Sequence, residues 1–203
     1  MSSRRAITLV GIGDDGCVSL TSRAVNAVMK AGVLVGGERH LEFFPQFQGE
    51  RIVLKGGVSS VLDRVAELAE EQNVCVVASG DPLFFGIGSL VIKRLGAEHV
   101  EVLPQPSSMQ WAFARAGLKW DDAAFLSLHG RSSEGFLTRL KGQAKVAILT
   151  DEVSKMMRRR FSRLESSRVM SRAMLMARAR PVASSQVSRD SKMLIVTLES
   201  TKK

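Results

Sequence analysis

The sequence of 203 residues has no long hydrophobic run and little cysteine. No apolar stretch approaches the roughly 20 residues that a membrane-spanning helix needs. The two cysteines, Cys17 and Cys75, are too few for a disulfide framework and lack the spacing of a metal site. The short, glycine-interrupted apolar run after the N-terminal arginines predicts a first strand rather than a signal peptide. These absences favour a cytoplasmic protein that holds no metal and contacts no membrane.

Glycine and negative charge are both scarce in the last third of the chain. All 17 glycines lie at or before Gly142. Residues 143–203 contain 14 Lys and Arg but 5 Asp and Glu, whereas residues 1–142 contain 15 of each, so the last third carries the whole net charge of +9. Three interpretations of this basic segment stay open: ordinary core and solvated elements, a site for a polyanionic substrate, or a surface for nucleic acid or membrane.

Strand-like and helix-like segments alternate along the first half of the chain. Five apolar segments are typical of buried strands, namely Ala6–Gly11, Val33–Gly37, Arg51–Gly56, Val74–Ser79 and His99–Pro104. The fourth of these has no polar alternation, as expected for a parallel strand that is buried on both faces. Between the strands, the apolar spacing of residues 20–31, 58–73 and 88–96 predicts amphipathic helices. This alternation predicts an α/β fold with a parallel-rich sheet.

A second α/β unit is predicted after the Pro104-Gln105-Pro106 segment. The sequence favours helices at residues 107–117, 132–142 and 152–166, and strands at residues 123–130, 145–151 and 192–199. We therefore predict an N-terminal α/β domain at residues 1–106, which contains the two loops described next, and a C-terminal α/β domain at residues 107–203.

A glycine-rich loop follows the first strand. Gly11, Gly13 and Gly16 satisfy the pattern G-x-G-x-x-G, and Glu38 lies 22 residues beyond the third glycine, which is the outline of a dinucleotide-binding motif. In that motif the third glycine lies at the start of a helix, whereas here CVSLT separates it from the next helical segment. A site for another small molecule, a nicotinamide site and a purely structural turn therefore stay open.

A second unusual loop, SGDPLFFGIG, follows the fourth strand. Gly80 permits a positive φ or the close approach of a ligand to the backbone, and Pro82 restricts the turn. The carboxylate of Asp81 can accept hydrogen bonds or face a cation. The alternative is an Asp-Pro turn that caps the next helix, with Phe84 and Phe85 in the core. Because ligands bind at the carboxyl edge of parallel sheets, two such loops on one sheet favour a binding site.

Four stretches together resemble the tetrapyrrole methylases: LVGIGDDGCVSLTSRA, VVASGDPLFFGIGSLV, LPQPSSMQWAFARAGLKWDDAAFLSLHGR and AILTD. The resemblance spans roughly residues 6–151. It is strongest to the branch of that family that methylates carbon 5 of precorrin or cobalt-precorrin in cobalamin biosynthesis. It implies two α/β domains with a cofactor cleft between them, S-adenosylmethionine as methyl donor, and a homodimer.

The resemblance also implies, position by position, which residues form the site. Residues implied to bind S-adenosylmethionine are Asp14, Ser79, Gly80, Asp81, Phe84, Ser107, Ser108 and Thr150. His129 and Arg131 are implied to bind the substrate, since arginine binds the acetate and propionate groups of a corrin precursor bidentately. We assign no catalytic residue, because an electron-rich meso carbon needs mainly alignment with the methyl group.

Beyond residue 151 the sequence departs from the family pattern. Relatives commonly carry a Glu-Asn-Leu-Gly-like segment after the last helix, whereas residues 166–191 contain no glycine. Two alternatives to the corrin methyltransferase therefore stay open: an RNA methyltransferase of the same fold, and a non-catalytic module that binds a tetrapyrrole or the cofactor. SSMQWAFARAGL and SLHGR favour the corrin substrate over nucleic acid. Because no second methyltransferase domain is found, we expect a separate enzyme to methylate carbon 15 and to decarboxylate.

Overall fold

A computed structural model describes residues 7–55, 57–127, 138–139, 143, 145–150, 180–181 and 192–197. The backbone contacts divide the chain into two compact units, Met1–Ser107 and Ser108–Lys203. The domain limits expected from the sequence, 1–106 and 107–203, stay a prediction.

The first unit is built on a sheet of five parallel strands. The strands are β1 (Ile7–Ile12), β2 (Val33–Gly36), β3 (Glu50–Val53), β4 (Val74–Ser79) and β5 (Val100–Leu103), in the spatial order β3-β2-β4-β1-β5. Every pairing within this sheet is parallel. All residues of β1 and β2 are buried, which explains their continuous apolar sequences. The predicted α/β fold is confirmed.

Four helices connect these strands. They are α1 (Ser22–Met29), α2 (Glu38–Glu42), α3 (Val58–Glu71) and α4 (Gly88–Leu95), with short 3-10 turns at Gly16–Ser19 and Ala97–His99. The sequence patterns predicted α1, α3 and α4, but they missed the short α2. In the part of the chain that the structure describes, no helix is long and apolar enough to cross a membrane.

Helices cover both faces of the parallel sheet, because successive strand residues point to opposite sides. One face packs against α3 and α4, and its core contains Ile7, Leu9, Val33, Val35, Leu62, Val65, Ala69, Val74, Val76, Val91 and Leu95. The other face packs against α1, α2 and the segment after α2, and its core contains Val10, Ile12, Ala24, Val28, Leu34, Leu41, Phe44, Phe47, Cys75 and Val77. Each fully buried aliphatic side chain stabilises the fold by about 1.5–3 kcal/mol. This packing gives the loops at the carboxyl edge a rigid base.

The second unit contains α5 (Ser108–Ala116) and a four-stranded sheet. Its strands are β6 (Ala124–Ser127), β7 (Lys145–Thr150), β8 (Arg180–Pro181) and β9 (Lys192–Thr197), in the order β6-β7-β9-β8. The pairing of β6 with β7 is parallel, whereas β9 is antiparallel to both β7 and β8. Most of the helix predicted at residues 132–142, and all of the one predicted at 152–166, lie outside the described residues.

Candidate functional site

The loops after β1, β4 and β5 meet at the carboxyl edge of the parallel sheet. The backbone N–H of Gly80 donates to the carbonyl of Ile12 at 2.9 Å, and the N–H of Gln105 donates to the carbonyl of Gly80 at 3.2 Å. Gly11 lies so close to this junction that a Cβ there would overlap the Gly80 carbonyl oxygen and lie 2.6 Å from the Gln105 nitrogen. The two loops that the sequence singled out are therefore hydrogen-bonded neighbours.

Gly80 is required by both its conformation and its surroundings. Its φ is +60°, which L side chains rarely adopt. A Cβ at this position would lie 3.0 Å from the Cα of Ser107 and 3.3 Å from the carbonyl oxygen of Pro106. Ser107 itself is buried. The turn after β4 therefore packs directly against the backbone that precedes α5.

Asp81 builds the turn that follows. Its Oδ1 accepts a hydrogen bond from the backbone N–H of Leu83 at 2.8 Å, and its carbonyl accepts one from the N–H of Phe84 at 3.1 Å. This is the local pattern of an Asx turn. The alternative in which Asp81 caps the next helix is wrong, because α4 begins at Gly88 after Ile87 and no side chain caps it. The half-buried carboxylate thus lies at the sheet edge.

Apolar side chains are exposed beside this carboxylate. Phe84 is half-buried, and its ring centroid lies 4.8 Å from that of Phe85 in an edge-to-face arrangement. Phe85 and Leu83 are 36% and 47% exposed, so the interpretation that places both phenylalanines in the core is wrong for Phe85. Phe85 also has a φ of 57°, an unfavourable conformation that costs on the order of 1–3 kcal/mol and is typical of functional sites. The edge therefore combines an acidic group with an apolar surface.

The glycine-rich loop after β1 does not have the geometry of a dinucleotide motif. Gly16 has a φ of +60° and begins a 3-10 turn that ends at Ser19. The helix α1 begins only at Ser22, where Thr21 caps it by accepting a hydrogen bond from the N–H of Ala24 at 3.2 Å. Because the third glycine lies outside the helix, the N-terminus of α1 is not placed as in that motif.

The short helix α2 brings two further side chains to this edge. Arg39 Nη1 donates to Asp14 Oδ1 at 2.7 Å, which ties α2 to the loop after β1. His40 Nε2 lies 3.0 Å from Ser79 Oγ, which ties α2 to the end of β4. Arg39 Nη2 lies 3.5 Å from the same histidine nitrogen. A chain of polar contacts, Asp14–Arg39–His40–Ser79, therefore joins two residues that the resemblance implies and two that it did not name.

His40 is neutral in this environment at neutral pH. The pKa of His40 is lowered from its ordinary 6.5 to about 4, mainly by burial and also by the adjacent Arg39, while the carboxylate of Asp14 partly opposes both. A neutral imidazole has one nitrogen that donates and one that accepts. The ring can therefore serve as a hydrogen-bond acceptor within the contact chain.

Arg51 on β3 holds the segment after α2 in place. Its Nη1 donates to the carbonyl of Leu41 at 2.8 Å, and its Nη2 donates to the carbonyls of Phe44 at 2.6 Å and Phe47 at 3.1 Å. The guanidinium carbon also lies 5.6 Å from the centroid of the Phe47 ring. The carbonyls of Leu41 and Phe44 also accept backbone N–H groups, from Phe44 at 3.2 Å and from Phe47 at 3.0 Å. Arg51 therefore adds side-chain hydrogen bonds to the turns that follow α2 and ties them to β3.

The described residues place most of the sequence-predicted site in the first unit. Ser79 is the last residue of β4, and the other predicted residues of this unit lie in loops at or beside the carboxyl edge, namely Asp14, Gly80, Asp81, Phe84 and Ser107. Ser108 is the first residue of α5 and Thr150 the last of β7, both in the second unit. His129 and Arg131 lie outside the described residues. The ligand roles of these residues stay predictions.

Sequence reasoning missed Arg39 and His40. Both follow the buried strand β2 by only a few residues, at the same edge as the other loops. Their position just after a buried parallel strand was the signal in the sequence, because ligands bind at the carboxyl edge of such sheets.

The side chains at this edge suit a ligand that carries a positive charge next to an apolar body. Carboxylate and hydroxyl oxygens can accept hydrogen bonds from an ammonium group, and aromatic faces attract cations. S-adenosylmethionine has an ammonium and a sulfonium group, so this set of residues fits it. Within the described ranges, no cluster of three or more His, Cys, Asp or Glu is placed to hold a metal ion.

The sequence matches proteins of one enzyme family. The family model "Tetrapyrrole (Corrin/Porphyrin) Methylases" matches residues 6–188. The chain is 38% identical over 145 residues to the cobalt-precorrin-7 C(5)-methyltransferase of Salmonella typhimurium, and the match covers 71% of each chain. It is 35% identical over 149 residues to the precorrin-6Y C(5,15)-methyltransferase [decarboxylating] of a Sinorhizobium species, a match that covers 72% of this chain and 35% of that protein.

The fold matches a solved structure of the same kind. The precorrin-6Y methylase of cobalamin biosynthesis from Archaeoglobus fulgidus superposes with a TM-score of 0.65 at 21% sequence identity, covering 97% of this chain and all of that one. At this identity the superposition supports the fold alone. The family membership rests on the sequence matches.

Proposed function

The chain belongs to the tetrapyrrole (corrin/porphyrin) methylases, and from this membership we propose that it transfers the methyl group of S-adenosylmethionine to carbon 5 of a precorrin or cobalt-precorrin. The observation that carries the proposal is the 38% identity, over 71% of both chains, with a cobalt-precorrin-7 C(5)-methyltransferase. The protein is accordingly a methyltransferase of cobalamin biosynthesis.

The edge of the first unit supplies groups for the methyl donor. S-adenosylmethionine provides an electrophilic methyl group on a sulfonium centre. The Asp81 carboxylate complements the positive charge of the amino-acid end, and Gly80 lets the ligand approach the backbone. Phe84 packs along the ligand and excludes water. Asp14, Ser107, Ser108 and Thr150 are the other residues that we propose bind the donor.

The substrate side needs alignment more than acid or base strength. The meso carbon of a reduced tetrapyrrole is electron-rich, so it attacks a methyl group that is held in line with it. Holding two reactants in such a geometry supplies about 7–11 kcal/mol in favourable cases. His129 and Arg131 are proposed to bind the substrate, with Arg131 on one of its carboxylates.

We propose a homodimer and a cytoplasmic location. We also propose that a separate enzyme methylates carbon 15 and decarboxylates. Similarity to the Salmonella protein supports this last point, because the name of that relative specifies carbon 5 alone.

Calorimetric titration with S-adenosylmethionine tests whether the chain binds the methyl donor. We expect stoichiometric binding, and prior addition of a cobalt-precorrin should change the heat because both ligands share one site. A chain that binds the tetrapyrrole but does not bind S-adenosylmethionine would support the non-catalytic module instead. Binding of the donor with no effect of the tetrapyrrole would contradict the proposed substrate.

A further inference from the structure

His40 is a polar group at the carboxyl edge for which neither the family relationship nor the proposed reaction gives a role. Its Nε2 lies 3.0 Å from Ser79 Oγ and 3.5 Å from Arg39 Nη2. A guanidinium has only N–H donors and no lone pair to offer. Both neighbours are therefore satisfied together when Nε2 is the unprotonated nitrogen of the ring and Nδ1 carries the proton.

This tautomer fixes the direction of the hydrogen bond from Ser79. If Nε2 accepts, the Ser79 hydroxyl must donate its single proton to it. The remaining lone pairs of Oγ can then only accept hydrogen bonds from another molecule. Ser79 is exposed at the end of β4, so a ligand can reach that oxygen.

The charges around this pair agree with an acceptor role. The lowered pKa of His40 keeps the ring uncharged at neutral pH. The nearest cation, Arg39, is paired with the carboxylate of Asp14 at 2.7 Å. A cationic ligand group beside Ser79 would therefore meet an uncharged imidazole and a neutralised arginine rather than two positive charges.

We propose that His40 is a positioning residue that fixes the Ser79 hydroxyl as a hydrogen-bond acceptor for the ammonium group of the methyl donor. This rests on the proposed function, because it takes S-adenosylmethionine as the ligand at this edge. With its proton committed to His40, Ser79 cannot donate to the carboxylate of the donor. The contact chain thereby selects the ammonium over the carboxylate as the group that Ser79 contacts.

The test measures how tightly two ligands bind to the wild-type chain of 203 residues and to its variants. The ligands are S-adenosylhomocysteine and its deaminated analogue, which lacks the ammonium group but keeps the carboxylate. We expect His40→Ala and Ser79→Ala each to weaken S-adenosylhomocysteine binding by about 3- to 10-fold, the range for one lost hydrogen bond. Binding of the deaminated analogue should change by less than about twofold. The double variant should lose little more than either single one, because the two residues act through one contact.

Two further variants separate positioning from a merely structural role. His40→Gln keeps an oxygen that can accept from Ser79, so it should restore most of the affinity that alanine loses. His99→Ala is the matched histidine control, because His99 ends a 3-10 turn just before β5, at the opposite edge of the sheet. Equal weakening of both ligands by His40→Ala, or no weakening of either, would overturn the proposal.

Nitrogen NMR of the ligand-free protein gives a readout that does not depend on binding. We expect His40 to show an unprotonated Nε2 and a protonated Nδ1 at neutral pH, and the opposite tautomer would overturn the proposal. A chain that binds S-adenosylhomocysteine in this way but methylates no corrin would refute the proposed substrate and leave the role of His40 standing. A wild-type chain that does not bind S-adenosylhomocysteine would overturn both.

Discussion

The carboxylate of Asp81 has a structural role in its turn and a proposed role in binding, and substitutions can separate the two. Its Oδ1 accepts from the N–H of Leu83 within the turn, and its charge is proposed to face the methyl donor. Asp81→Asn keeps a side-chain oxygen for the turn but removes the charge. We expect it to weaken S-adenosylmethionine binding by about 1 kcal/mol, roughly fivefold, with little change in the free energy of unfolding.

Asp81→Ala removes both the charge and the acceptor. It should weaken binding as Asp81→Asn does and also lower the free energy of unfolding by about 0.5–1.5 kcal/mol. Calorimetry and denaturant titration measure the two quantities separately. Unchanged donor affinity in both variants would rule out a ligand role for this carboxylate.

The environment of His40 also makes stability depend on pH. The unfolded chain takes up a proton on this residue near pH 6.5, whereas the folded chain does so only near pH 4, because of burial and Arg39. The contribution of the neutral ring to stability is therefore fully present above pH 6.5 and is lost as the pH falls towards 4. His40→Gln should lose less of its free energy of unfolding than the wild type between pH 7 and pH 5.

Urea titrations at those two pH values measure this difference. His99→Gln is the matched control, because it leaves the His40 contribution in place. The charged groups next to His40, Arg39 and Asp14, are present in all three chains. An equal loss of stability in wild type and His40→Gln would show that the ring does not resist protonation in the folded state.

At the scale of elements, the junction of three loops depends on Gly11. A Cβ there would overlap the Gly80 carbonyl and approach the Gln105 nitrogen, and backbone cannot move aside as a flexible side chain can. Gly11→Ala should therefore lower the free energy of unfolding by about 1–3 kcal/mol. Gly13→Ala is the matched control in the same loop, because its Cβ would lie 3.6 Å from Ser19 Oγ with no closer atom.

Denaturant unfolding of the two glycine variants compares their stabilities. We expect Gly13→Ala to be as stable as the wild type or up to about 1 kcal/mol more stable, since alanine restricts the unfolded chain. If both variants lost the same stability, the close approach of Gly11 to Gly80 would not be what requires glycine there.

Elements with a clear hydrophobic period were predictable from the sequence. The strand β4 was predicted over the residues that it occupies, and α3 was predicted to within two residues at its end. Both depend on local rules, because a strand buried on both faces is uniformly apolar and a surface helix has one apolar side. The G-x-G-x-x-G outline was misleading as a nicotinamide signal, since a pattern of glycines does not say where the next helix begins.

Features that depend on distant residues were not predictable. The helix α2 has five residues, too few to show a hydrophobic period, and its end is held by Arg51 from the next strand. The Arg39–Asp14 and His40–Ser79 contacts join positions 25 and 39 residues apart. The antiparallel direction of β9 could not be predicted from its own residues either, because the path of the chain between strands sets the direction of each strand.

At the scale of the whole molecule, the net charge of +9 raises the possibility of a nucleic-acid substrate. A protein that binds RNA through phosphates loses affinity steeply with salt, because each neutralised phosphate releases counterions. We expect RNA to bind weakly, with a salt slope that corresponds to fewer than about two phosphate contacts. Fluorescence anisotropy of a labelled RNA across a salt series measures this slope. Tight binding with a slope for several phosphates, without tetrapyrrole binding, would favour the RNA methyltransferase.

A labelling measurement follows the proposed methyl transfer to carbon 5 itself. The full chain is incubated with cobalt-precorrin-7 and S-adenosylmethionine that carries a ¹³C-labelled methyl group, and the product is analysed by mass spectrometry and carbon NMR. We expect a product with one additional labelled methyl group, whose carbon signal correlates with the meso carbon 5 of the ring. A product labelled at another ring position, or an unlabelled tetrapyrrole from a chain that binds both ligands, would contradict it.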